Sequence, residues 1–224
     1  LLSSAYRAAD IMERFKYINL AGQYELYGNP SLKPERSVFA EYGFDLESGN
    51  FDFGLSLFAN FINDYIAEKA ESATLRRLEN IETARILGAE LQASALLPHD
   101  LKLSGSLSYL WGKDGANDQP LPGIAPWNAR ITLAYLPANG FRAELKHEHT
   151  APQTRTPAGV AHSKRADITS VTLGYVREGR VTHDVSLSVT NIFDQERANY
   201  LANERGYTIW EPGLAASLNY TVKF

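Results

Sequence analysis

The end of the chain alternates without a break. Leu214, Ala216, Leu218, Tyr220, Val222 and Phe224 fall on one parity, and Ala215, Ser217, Asn219, Thr221 and Lys223 on the other. Successive side chains of a β-strand point to opposite faces, so residues 213–224 read as one strand with an apolar and a polar face. Its length exceeds the ~5–6 residues of an ordinary sheet strand and matches the ~9–11 that cross a bilayer at a tilt.

The pattern recurs. Val181, Val185, Leu187 and Val189 oppose Thr182, Asp184, Ser186, Ser188 and Thr190, and Val171, Leu173 and Tyr175 oppose Ser170, Thr172 and Gly174. Leu101, Leu103, Leu107, Tyr109 and Trp111 oppose Lys102, Ser104, Ser106 and Ser108. Phe51, Phe53, Leu55, Leu57 and Phe61 oppose Asp52, Gly54, Ser56 and Asn60, and Val38, Ala40, Tyr42 and Phe44 oppose Glu41, Gly43 and Asp45. The most diagnostic case is Phe141, Ala143 and Leu145 against Arg142, Glu144 and Lys146, because a face of alternating charge suits a wet barrel interior better than a packed core. Arg130 is assigned to the same interior. The fold class expected is all-β: an antiparallel up-and-down transmembrane barrel with about nine strands and a tenth at the N-terminal edge.

Connection lengths support this. Glu47 to Asn50, Pro98 to Asp100, Pro137 to Gly140 and Arg177 to Arg180 are tight turns rich in Gly, Pro and Asn. Longer links around residues 66–80, 112–127, 150–165 and 192–212 alternate with them, as periplasmic turns alternate with outer loops in bacterial barrels. A soluble β-sandwich also has alternating strands, but nothing would sort its links by length onto opposite ends.

Composition constrains function chiefly by exclusion. A mean hydropathy of -0.28 and no long apolar run exclude a membrane-spanning helix, but only alternate residues of a barrel strand face lipid. The absence of Cys excludes disulfides and thiolate metal or redox sites, and a net charge of -4 with scattered Lys and Arg offers no nucleic-acid surface. His183 and Asp184 form the one notable adjacent acid/base pair; adjacent strand residues face opposite ways, so no enzyme is expected. His147 and Glu148 fail alike, whereas His147 and His149 share a face as an i, i+2 pair of the kind that can hold a metal. The start at Leu1-Leu2-Ser3-Ser4, without Met or a basic leader, suggests a piece of a longer chain.

Four markers resemble a known family, the TonB-dependent outer-membrane receptors. Asn29-Pro30-Ser31-Leu32-Lys33-Pro34-Glu35 resembles its loop motif ahead of a strand, and Tyr6-Arg7-Ala8-Ala9 its Phe-Arg-Ala-Pro element, with Ala9 in place of the proline. Thr190-Asn191-Ile192-Phe193-Asp194 is similar to the segment closing the penultimate strand, and Glu211-Pro212-Gly213 to the opening of the last, although Leu214 departs from the frequent Arg. Phe224, with Tyr220 before it, is similar to the aromatic end that the barrel-assembly machinery reads.

The resemblance implies a barrel of about 22 strands, of which these are the C-terminal ones, with a plug domain absent from this chain. Residues 1–36 are then an extracellular loop region and residues 37–224 the membrane strands and loops. It also implies coupling to TonB through the plug, and uptake across the outer membrane of a metal chelate such as a ferric siderophore. No resident cofactor or protein-held metal is expected. Trp127, Arg155, His162, Arg205, Tyr207 and Trp210, with Lys164 and Arg165, are the loop groups suited to a large anionic chelate. Haem fits less well, since related haem receptors carry a His between the two upstream motifs and residues 10–29 have none. Copper remains open through residues 85–130, which look similar to copper receptors, although one Met and no Cys leave few soft ligands. A passive porin is the other reading.

Overall fold

Tight turns decide which strands pair. Gly49 and Gly140 adopt left-handed backbone, as do His99 and Asp100, so each of these links reverses the chain within a few residues. The computed structural model describes residues 1–20, 24–115, 117–157, 160–204 and 208–224. Its elements are β1 (Leu2–Arg7), α1 (Ile11–Phe15), β2 (Tyr17–Leu20), β3 (Tyr24–Tyr27), β4 (Glu35–Ser48), β5 (Phe51–Ala70), β6 (Leu75–Leu97), β7 (Leu101–Asp114), β8 (Asn128–Tyr135), β9 (Phe141–Thr150), β10 (Ala166–Arg177), β11 (Thr182–Thr190), α2 (Tyr200–Glu204) and β12 (Ala215–Lys223).

The 12 strands form one sheet, ordered β1-β4-β5-β6-β7-β8-β9-β10-β11-β12, with β2 and β3 off this path. Neighbours along the path are antiparallel, so the wall is a meander in which sequence neighbours are space neighbours. All four tight turns lie at one end, and the longer links, apart from the short β5–β6 connection, lie at the other. Strand β1 is the tenth strand expected at the N-terminal edge.

Registers carry the two faces across the sheet. Tyr42 sits opposite Leu57, Leu57 opposite Ala89, and Ala89 opposite Tyr109. This outer face stays bare, with Ile131 57% and Leu218 71% exposed, a condition that water would punish and lipid rewards. Aromatic rings gather near the tight-turn end, where Phe44 and Phe53 lie 6.2 Å apart and Tyr135 and Phe141 6.2 Å apart. Such girdles mark a bilayer boundary.

Two findings depart from the sequence reading. The segment 66–80 is not a long loop: β5 and β6 run on as a hairpin of 20 and 23 residues whose ends are Ala70 and Leu75. At ~3.3 Å per residue, 20 residues reach about 66 Å, well beyond a bilayer. Lys69 with Glu79, Arg77 with Glu71 and Arg76 with Glu68 pair charges across this solvated part. Residues 1–36 are likewise more than a loop region, since they hold β1, α1, and the β2–β3 hairpin, whose β3 adds parallel to β6 through Glu25 and Leu75.

Candidate functional site

The wall's polar face is concave, with Asp45, Asp52, Gln92, Arg130, Glu144 and Lys146 among the residues lining its hollow. Its charges are arranged in ladders. Arg130 binds Glu148 (2.6 Å), Lys146 approaches the same carboxylate (3.7 Å), and Arg142 reaches Asp184 two strands away (2.5 Å). Gly174 makes that last pair possible, because a Cβ there would collide with the Arg142 side chain lying across it. Arg130, Arg142, Glu144 and Lys146, the four assigned to the interior, thus share one face by strand parity.

The upstream motifs form a clamp. Glu35 is buried at the start of β4, where one carboxylate oxygen accepts the Ile66 amide (2.8 Å) and the other Arg7 Nε (2.7 Å). Arg7 also grips Glu13, which caps α1 with Asp10. Burial pushes the Glu35 carboxyl up, but the Arg7 and Ile66 hydrogen bonds outweigh it and hold the group below its ordinary value. Arg14 donates to the carbonyls of Pro30 and Leu32, while the Asn29 side chain accepts from the Ser31 amide. Leu32 buries against Ile66 and Leu78, with Ala9 beside them. Asn80 closes the set: it accepts from the Lys33 amide and donates to the Lys33 and Asp64 carbonyls. The prolines Pro30 and Pro34 flank this segment and restrict its backbone. Asn80, Glu13 and Arg14 are clamp members that sequence reasoning missed.

The downstream motif works similarly. Asn191 is buried in left-handed backbone, its amide donating to the Gln195 carbonyl and its oxygen accepting the Gln195 amide. Asp194 accepts the Leu214 amide (2.8 Å) and so fixes where β12 begins, while Phe193 stays exposed.

Between these loops lies a cavity of about 450 Å³, at the long-link end of the wall. Arg130 and Glu148 form part of its floor, His162 and Lys164 come from the β9–β10 link, and Arg197, Tyr200 and Trp210 from the β11–β12 link. Arg197 pairs with Glu211 (3.2 Å), whereas Lys164 and His162 make no hydrogen bond or ion pair among the described residues. The Tyr200 hydroxyl is buried and also lacks a partner among them, and burial with the Glu204 charge pushes it up to about 12.

The sequence candidates divide. His162 and Trp210 line the cavity. Arg155 instead lies over the Trp111 ring (4.9 Å) and donates to the Gly112 carbonyl (3.3 Å). Trp127 packs against His149 with tilted rings whose centres are 4.8 Å apart, on the outer-facing parity, as an interfacial aromatic would. Arg205 and Tyr207 lie outside the described residues. His149 binds Asp167 (2.6 Å) and His147 stands 3.7 Å from the same oxygen, yet among the described residues no three groups converge as metal ligands. His183 turns to Tyr220 (2.7 Å) and Asp184 to Arg142, so the adjacent acid/base pair points apart.

A lipid-facing apolar exterior, a charged concave interior and a crown of packed loops define an outer-membrane-type barrel wall. A family model described as TonB dependent receptor-like, beta-barrel matches residues 2–222, and the chain belongs to that family, whose members are transporters and receptors of the outer membrane. Among solved structures, the copper transporter OprC is 26% identical with a TM-score of 0.80, over 99% of this chain and 34% of that one. The siderophore receptor PirA from Acinetobacter baumannii (19% identity, TM-score 0.68, 99% and 37% covered) shares the fold. So does the ferric enterobactin receptor PfeA from Pseudomonas aeruginosa (19%, 0.71, 99% and 36%). This chain spans about a third of the length of those proteins.

Proposed function

We propose that this chain is wall and loop crown of a receptor that takes up a metal chelate across the outer membrane, driven through TonB. The carrying observation is the cavity at the long-link end, where Lys164 and His162, without partners among the described residues, meet Arg197, Tyr200 and Trp210. A lysine ammonium and an imidazole left available beside aromatic surface favour a bulky anionic ligand such as a ferric siderophore. Further strands complete the wall in this reading, and a plug fills the hollow edged by Arg130, Arg142, Glu144 and Lys146, because an open edge is intolerable in lipid. Phe224 and Tyr220 serve assembly. Phe224 is fully exposed, so its deletion should lower the yield of folded barrel without loosening the cavity.

A copper cargo is the second reading, favoured by the likeness to OprC. Uptake of a radiolabelled ferric chelate and of radiolabelled copper, by cells with and without the intact gene, separates the two. Gene-dependent accumulation of the chelate supports the first, of copper alone the second, and of neither overturns both.

A further inference from the structure

The outer face of the wall changes chemistry abruptly at the long-link end of β4 to β7. Its upper apolar row is Ala40, Ala59, Leu87 and Trp111, opposed in turn across the four strands. The next row outward is Val38, Phe61, Arg85 and Lys113, and the one beyond it Arg36, Asn63 and Thr83. Three cations therefore stand on the lipid-facing parity directly above the aromatic and apolar band, where Tyr109 and Trp111 mark its edge.

Arg130, Arg142 and Lys146 on the opposite face each have a carboxylate. Arg36 and Arg85 are exposed and make no ion pair or hydrogen bond among the described residues, whereas Lys113 binds Asp118, the acid that reaches this patch. Lys113 sits directly opposite Arg85, and Arg36 lies two strands and two residues away from it, about 12 Å by strand spacing and rise. Side chains of that reach can close on neighbouring phosphates. The headgroup layer meets a barrel at this depth, and guanidinium is the side chain best matched to phosphate oxygens.

We infer that Arg36 and Arg85, with Lys113 beside them, form a binding site on the outside of the barrel for the phosphate groups of an outer-leaflet lipid. The site rests on the outer-membrane placement but not on the identity of the cargo. A lipid held here would sit against Phe61 and Leu87 with its chains, beside the Trp111 ring that Arg155 covers, and anchor the base of the long β5–β6 hairpin.

The test uses the intact receptor. A bisphosphorylated outer-membrane glycolipid and its dephosphorylated form are titrated onto the detergent-solubilised protein and counted by native mass spectrometry. Arg36→Ala with Arg85→Ala should weaken the phosphorylated lipid about thirtyfold, as two phosphate-facing cations imply. Arg177→Ala with Arg180→Ala, at the tight-turn end, should leave it within about twofold. The dephosphorylated lipid should bind the wild type no better than the double variant. Equal lipid retention by the wild type and the Arg36/Arg85 variant would overturn the inference, as would inorganic phosphate binding with the same dependence on the two arginines. If the double variant does not assemble, judged by heat-modifiable gel mobility, the wild type decides: raised salt must weaken only the phosphorylated lipid. Chelate uptake is read on the same variants, and its persistence when lipid binding is lost separates this site from the cargo site.

Discussion

The two halves of the loop crown are built on opposite principles. Around residues 1–35 and the β5–β6 hairpin, a connected set of polar groups is tied together: Glu35 holds Arg7 and Ile66, Arg14 holds Pro30 and Leu32, and Asn80 holds Lys33 and Asp64. Around the β9–β10 and β11–β12 links, Lys164, His162 and the Tyr200 hydroxyl surround a cavity without partners among the described residues. Satisfied groups contribute stability, whereas unsatisfied ones are available to a ligand. The first half should therefore respond to mutation in stability and the second in binding.

The strongest challenge to that division is Glu35→Ala. It strands the Ile66 amide and leaves Arg7 with Glu13 alone, so a loss of about 2–3 kcal/mol is expected, within the range for hydrogen bonds to a charged group. Limited proteolysis should open residues 8–34 first while chelate affinity stays within about twofold. Affinity falling in step with stability would erase the contrast. Leu32→Ala follows with about 2 kcal/mol, since Leu32 is 3% exposed and packs on Ile66 and Leu78. The same protease site should open.

The clamp also has a pH signature. Glu35 is held below its ordinary value in the fold, so the stability it contributes is present above the unfolded carboxylate pKa of ~4.3 and is lost as pH falls through the lower folded value. Protease sensitivity of residues 8–34 should rise across that acidic window. In Glu35→Gln the Glu35 part of the pH dependence should vanish; an unchanged profile would show that another group drives it.

The contrast also explains what the sequence could reveal. Strand faces were legible because their period is two and the register carries it through Tyr42, Leu57, Ala89 and Tyr109 without adjustment. The loop motifs were legible as a resemblance, but their partners were not: Asn80 lies 47 residues from Lys33. The hairpin beyond residue 66 was hidden by its polarity, although mirrored charges such as Lys69 with Glu79 and Glu71 with Arg77 were available as a signal. The cavity was least legible, because Arg130, Lys164, Arg197 and Trp210 come from separate strands and links and converge only in space. Trp127 and Arg155 were chosen for residue type alone, and packing committed both to neighbours at the rim.

A smaller effect is expected in the second half from Lys164→Ala. With no partner among the described residues, it should change unfolding by less than about 0.5 kcal/mol, as exposed substitutions do. Chelate affinity should fall about five- to tenfold, the loss of one charge-assisted contact. A measurable loss of stability with unchanged affinity would make Lys164 a structural residue and break the contrast from this side.

The smallest effect is the sharpest. Tyr200→Phe removes one oxygen that is buried beside the cavity and has no partner among the described residues. In an unliganded receptor that oxygen has lost water and gained nothing, so its removal should leave unfolding unchanged or raise stability by up to about 1 kcal/mol. If the hydroxyl turns to cargo, chelate affinity should drop about threefold while stability holds, a pattern that a packing role would not produce. Thermal unfolding and chelate titration on the one variant therefore give opposite signs. A loss of stability with no change in affinity would place Tyr200 among the satisfied groups of the first kind.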